Sequence, residues 1–147
     1  MGLDMYLNAK RFLWHNEDGL IDKISDAFPE LDGAKVKQIT AEVAYWRKAN
    51  AIHKWFVDNV QDGEDDCGYY EVGEEQLKEL LDLIDQVLAD KSKADSLLPC
   101  ASGFFFGNTD YDQYYFEDLE YTKGVLEKLI NNKEKMRGWY LEYHSSW

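Results

Sequence analysis

From Lys35 to Val60 the apolar residues recur at helical spacing. Val36, Ile39, Val43, Trp46, Ala49, Val57 and Val60 share one arc at about 100° per residue, with Tyr45 and Phe56 at its edge. The pattern predicts one long helix over Lys35–Val60, the central element of the chain. Glu42, Asn50 and His53 interrupt that arc, and Arg47 and Lys54 lie one above the other beyond its rim. An unpaired buried polar group costs about 1–3 kcal/mol. The segment is therefore expected either to hold a satisfied polar network or to line a pocket.

The flanking segments give clearer periods. Leu3, Met5, Leu7 and Ala9 alternate with Asp4, Tyr6, Asn8 and Lys10, the signature of a half-buried strand, which Phe12 to Trp14 extends or turns. His15 to Gly19 reads as a turn, and Leu20 to Phe28 as a short helix stopped by Pro29. After an acidic loop over 61–68, Tyr69 to Val72 is a short strand. Glu74 then opens a helix to about Asp90, with Leu77, Leu80, Leu81, Ile84, Val87 and Leu88 as its inward stripe.

Ser102 to Thr109 holds Phe104, Phe105 and Phe106 between glycines. As a strand over 103–106 it would point Phe105 away from the other two, so these rings are either core or ligand-facing. A third helix is expected over Tyr111 to Asn131, capped by Thr109 or Asp110, with Tyr115, Leu119, Thr122, Leu126 and Leu129 inward. Trp139 to His144 alternates as a closing strand. The expected fold is α+β in one domain: a small, mostly antiparallel sheet, its N- and C-terminal strands paired, against three main helices.

Charge sharpens this picture. The chain of 147 residues has a net charge of −13, and residues 61–121 carry 17 acidic against 3 basic side chains. Such a field repels DNA and RNA and favours basic partners. No apolar run reaches the roughly 18 residues needed to span a bilayer. The opening MGLDMYLNAKR has neither the basic nor the long apolar region of a signal peptide. The two cysteines, Cys67 and Cys100, stand far apart, as suits a reducing cytosol. Exposed aromatics such as Tyr140 and Trp147 would permit a homodimer without requiring one.

Catalytic signatures are missing. There is no Gly-x-Ser-x-Gly elbow, and Gly103 to Gly107 has bulky rings where a phosphate loop needs close backbone approach. The acidic loop lacks the spacing of a calcium site, and His15, His53 and His144 stand without zinc-like neighbours. Neither a metal, a cofactor nor a catalytic residue is nominated. Candidate ligand-binding residues are Glu42, Trp46, Arg47, Asn50, His53 and Lys54, with Phe104, Phe106, Tyr111 and Tyr114 available for stacking. Aromatic faces beside a cation and an amide are the groups that hold a nucleobase and its phosphate. A satisfied core histidine and a structural network are the plainer reading of the same row.

Three blocks resemble a known group. The opening MGLDMYL, the segment EVAYWRKANAIHKWF over 42–56 and LLPCASGFFFGNTDYD over 97–112 are similar to a family of small bacteriophage and prophage proteins. Its members are sometimes labelled phosphoglycerate kinase, which this short chain without a nucleotide-phosphate loop contradicts. The resemblance implies a phage origin and a bacterial host cytoplasm, and it carries over no catalytic residues.

Three expectations follow. The first is a non-catalytic binder, a host-defence antagonist that captures a nucleotide-like small molecule in a pocket beside helix 35–60. The second is an acidic inhibitor whose 61–121 segment imitates nucleic-acid charge and blocks a basic host protein such as a nuclease. The third, and weakest, is a small hydrolase using His53 with Glu42.

Overall fold

A computed structural model describes residues 2–16 and 19–147. The predicted turn at 15–19 therefore falls partly outside the described residues, at Glu17 and Asp18. The fold is α+β. Four strands, β1 (Asp4–Phe12), β2 (Gln38–Arg47), β3 (Tyr69–Val72) and β4 (Tyr140–Ser146), form an antiparallel sheet in the order β2-β1-β4-β3. The N- and C-terminal strands pair at its centre, with Tyr6 opposite His144.

One face of the sheet is the core. Met5, Leu7 and Ala9 of β1, Ala44 and Trp46 of β2, Val72 of β3 and Leu141 and Tyr143 of β4 all point to it. Helices α2 (Asn50–Val60), α3 (Glu74–Ala89) and α5 (Gln113–Asn131) cover that face, joined by the short α4 (Ala94–Leu97). Leu77, Leu80, Ile84 and Val87 of α3 and Leu119 and Leu126 of α5 are buried in one core, as the inward stripe predicted for each helix requires. Each such burial is worth about 1.5–3 kcal/mol. Helix α1 (Leu20–Ala27) ends before a 3-10 turn begun by Pro29 and has no buried residue.

The expected helix over Lys35–Val60 does not form as one element. Residues 38–47 are the edge strand β2, and the helix starts only at Asn50. The cause is visible in the register. Leu7 pairs with Ala44 and Asn8 with Glu42, so Val43 is the extra residue of a bulge. That insertion breaks the period of two and leaves Ile39, Val43 and Trp46 at spacings of four and three, which imitate a helix. Ile39, Thr40, Val43, Tyr45 and Trp46 are all strand-favouring. Lys48 then takes a left-handed conformation, φ 58°, and turns the chain into α2.

The triple phenylalanine is a turn rather than a strand. The Phe106 N–H donates to the Gly103 carbonyl at 3.2 Å, and Gly107 has φ +85°. A Cβ on Gly103 would lie 2.5 Å from the Phe106 ring, so only glycine lets that ring fold back. The N-cap of α5 is Asp112, whose carboxylate accepts the Tyr115 N–H at 3.1 Å; neither Thr109 nor Asp110 serves.

Candidate functional site

The polar row expected on one helix is divided among three places. Glu42 is exposed on the sheet face away from the helices. Trp46 is buried on the opposite face, where its indole N–H donates to Thr122 Oγ1 at 2.8 Å. Asn50 and His53 sit in α2. The structure therefore does not bring Glu42 and His53 together, as the hydrolase expectation required.

Asn50 is 5% exposed and fully used. Its amide donates to the carbonyls of Phe106 at 3.0 Å and Asn108 at 2.8 Å, and its oxygen accepts the Ala101 N–H at 3.1 Å. One side chain thus clamps both ends of the 101–108 turn. His53 is 1% exposed and equally committed. Burial among apolar groups holds the Tyr143 phenol well above its ordinary value. The Asp65 carboxylate can only accept, so His53 Nε2–H donates to it at 2.9 Å, and in that tautomer Nδ1 accepts the Tyr143 O–H at 2.6 Å. The Trp147 indole donates to the other Asp65 oxygen at 3.0 Å. Phe106 packs edge-on against the imidazole at 5.2 Å and is core. Lys54 pairs with Asp58 at 2.7 Å on the surface.

The remaining candidates are more open. Arg47 is exposed, 3.7 Å from Asp4. Phe104 is 93% exposed and Tyr114 72%. The Tyr111 hydroxyl accepts the Cys100 N–H at 3.2 Å, and its ring meets Tyr115 edge-on.

A cavity of about 420 Å³ lies where the β2–α2 corner faces the first turns of α5. Arg47, Asn50 and Tyr114 line it, as do Lys48, Asp110, Asp112, Glu117 and Asp118, which the sequence reading did not nominate. Trp46, His53, Lys54, Phe104, Phe106 and Tyr111 are not in its lining. The corner is set by backbone bonds: the Lys48 N–H donates to Leu3 O at 2.8 Å, and the Asn50 N–H to Lys48 O at 2.9 Å. The Lys48 stem lies against Gly107, where a Cβ would sit 3.3 Å from its own. A left-handed non-glycine residue stores strain of about 1–3 kcal/mol, and such strain concentrates at functional sites.

Asp118 is the group that gives the cavity its chemistry. It is half-buried, and among the described residues no side chain pairs with its carboxylate. Burial, then the neighbouring charges of Glu117 and Asp112, push its pKa up to about 6. It can accept two donors as a carboxylate, or donate one proton as an acid. Burial also raises the Cys100 thiol in the same wall, which keeps it protonated and poorly nucleophilic. A sequence signal for Asp118 existed. It follows Tyr115 by three residues and precedes Thr122 by four, a carboxylate within an inward stripe.

The outward sides of α3 and α5 carry much of the acidic charge. Lys78 answers Glu74 and Glu75, and Lys123 answers Asp85 and Glu127. Among the described residues no group of three or more His, Cys, Asp or Glu is placed to hold a metal ion, and no helix is long and apolar enough to cross a membrane. Comparison with known protein families, with curated proteins and with solved structures found no match for the chain.

Proposed function

We propose that the protein is a non-catalytic binder of a small, nucleotide-like molecule, held in the cavity between the β2–α2 corner and α5. The carrying observation is the half-buried Asp118 carboxylate, without a side-chain partner among the described residues, in a cavity that Arg47 and Lys48 also line. A carboxylate in that state seeks paired N–H donors, as on a nucleobase edge. Tyr114 supplies an exposed ring for stacking. Arg47 and Lys48 supply the charge for one anionic group. Asp110, Asp112 and Glu117 limit that charge, because a triphosphate would be repelled. The reading therefore favours a nucleoside monophosphate or a cyclic nucleotide. On the phage resemblance, such a binder would sequester a nucleotide signal in the bacterial host cytoplasm.

The test is calorimetric titration with the nucleoside monophosphates and cyclic mono- and dinucleotides. Binding by the native chain, lost in Asp118→Asn and weakened about tenfold in Arg47→Ala and in Tyr114→Ala, supports the reading. Binding unaffected by all three substitutions, or none by any member of the panel, sinks it.

A further inference from the structure

The sheet face turned away from the helices carries a pattern that the cavity does not use. Along each strand, the residues that alternate with the core point to this face and are half-buried or exposed. One row of it is aromatic on every strand. Tyr45 of β2 faces Tyr6 of β1, Tyr6 faces His144 of β4, and His144 faces Tyr69 of β3. The rings touch in sequence: Tyr6 and Tyr45 at 5.4 Å, Tyr6 and His144 at 5.9 Å, and His144 and Tyr69 stacked at 4.0 Å. The row spans three interstrand gaps, about 14 Å, the reach of about four residues of extended peptide.

The neighbouring row is Glu42, Asn8, Glu142 and Glu71, again one residue per strand and in register. Glu71 directly faces Glu142. Like charges placed so cost stability unless a cation sits beside them. The protein already seats one of its own cations here. Lys10 Nζ is 2.6 Å from Glu142 Oε1 and 5.6 Å from the centre of the Tyr69 ring. Carboxylate beside aromatic ring is thus a working cation seat on this face.

We propose that this open face is the docking surface for an arginine-bearing segment of a basic protein, whose guanidinium groups lie against the exposed Tyr69 and Tyr45 at the two ends of the aromatic row and pair with Glu71 and Glu42. Arginine fits better than lysine because a planar guanidinium can lie on a ring while its edge still reaches a carboxylate. Nucleic-acid bases could stack on the same rings, but their phosphates would meet a chain of net charge −13. A second copy would set Glu42, Glu71 and Glu142 against themselves across a twofold axis. The proposal shares no residue with the cavity and stands independently of it.

The experiment is an NMR titration of the whole ¹⁵N-labelled protein with a decapeptide of alternating arginine and glycine, and with its lysine counterpart. The expected result is amide shifts centred on Tyr6, Tyr45, Tyr69 and His144, with the lysine peptide about fivefold weaker. Tyr69→Ala, at a residue 63% exposed, should weaken binding about tenfold, Tyr69→Phe should restore it, and Glu71→Gln should cost about threefold. Shifts confined to α3 and α5 with Tyr69→Ala neutral would overturn the proposal in favour of diffuse charge attraction. Tighter binding of an oligouridine, or a dimer in solution that Tyr69→Ala dissolves, would overturn it in favour of the other two occupants.

Discussion

Asn50 and Asp118 are both polar side chains withdrawn from solvent, one fully and one by about half, and they could hardly be treated more differently. Asn50 has every hydrogen-bonding group engaged and holds a turn in place. Asp118 has no partner for its carboxylate among the described residues and borders a cavity. The first arrangement returns the cost of burial inside the fold, whereas the second leaves a partly desolvated carboxylate without a protein donor. Polarity in a core therefore does not by itself mark a site.

The comparison can be broken by substitution, and Asn50→Ala should have the largest effect. It strands the Ala101 N–H and the two carbonyls of the turn, and should destabilise by about 3 kcal/mol in urea unfolding. A loss under about 1 kcal/mol would mean the clamp is dispensable.

Asp118→Asn should act in the opposite direction and depend on pH. The folded pKa of Asp118, about 6, lies above its ordinary 3.8. Between those values the native state holds the proton more tightly than the unfolded chain, so this group's contribution to stability falls as pH rises from about 4 to 6. Unfolding curves of native and variant should diverge across that window, with the variant more stable at pH 7 by about 2 kcal/mol. Parallel curves would show that the carboxylate is not desolvated.

Gly103→Ala should cost about 1–3 kcal/mol, because the new methyl meets a buried ring that cannot retreat. The smallest effect is expected for Lys54→Ala, under about 0.5 kcal/mol, since an exposed pair on one helix contributes little. A larger loss there would give Lys54 a role that its surface position does not.

Much of the fold was legible because its periods are clean. β1 and β4 alternate without interruption, and Leu77 to Leu88 keep one helical stripe, so their types follow from spacing. β2 was misread because a bulge at Val43 adds one residue, and one residue is enough to convert a strand's period into a helix's coincidence. The candidate site was less legible still. Arg47, Asn50 and Tyr114 were nominated from residue type, but Asn50 proved structural and His53 was spent on Tyr143 and Asp65. Lys48 gave no signal, since its importance lies in a backbone angle. Asp118 gave one that was passed over among seventeen acidic residues in its segment, where another carboxylate draws no notice.

The order of strands also sets how the chain must fold. The two innermost strands come from opposite ends of the sequence, with Asp4 facing Ser146. Their pairing closes a loop of almost the whole chain before it returns a hydrogen bond, whereas the β1–β2 pair and the α3–α5 pair bring together shorter separations. Pairing of β1 with β4 therefore carries the largest closure cost in the sheet, and until it forms the middle of the sheet stays open. Until then the inner edge of β1 is an unpaired row of backbone groups, the kind of edge that templates aggregation.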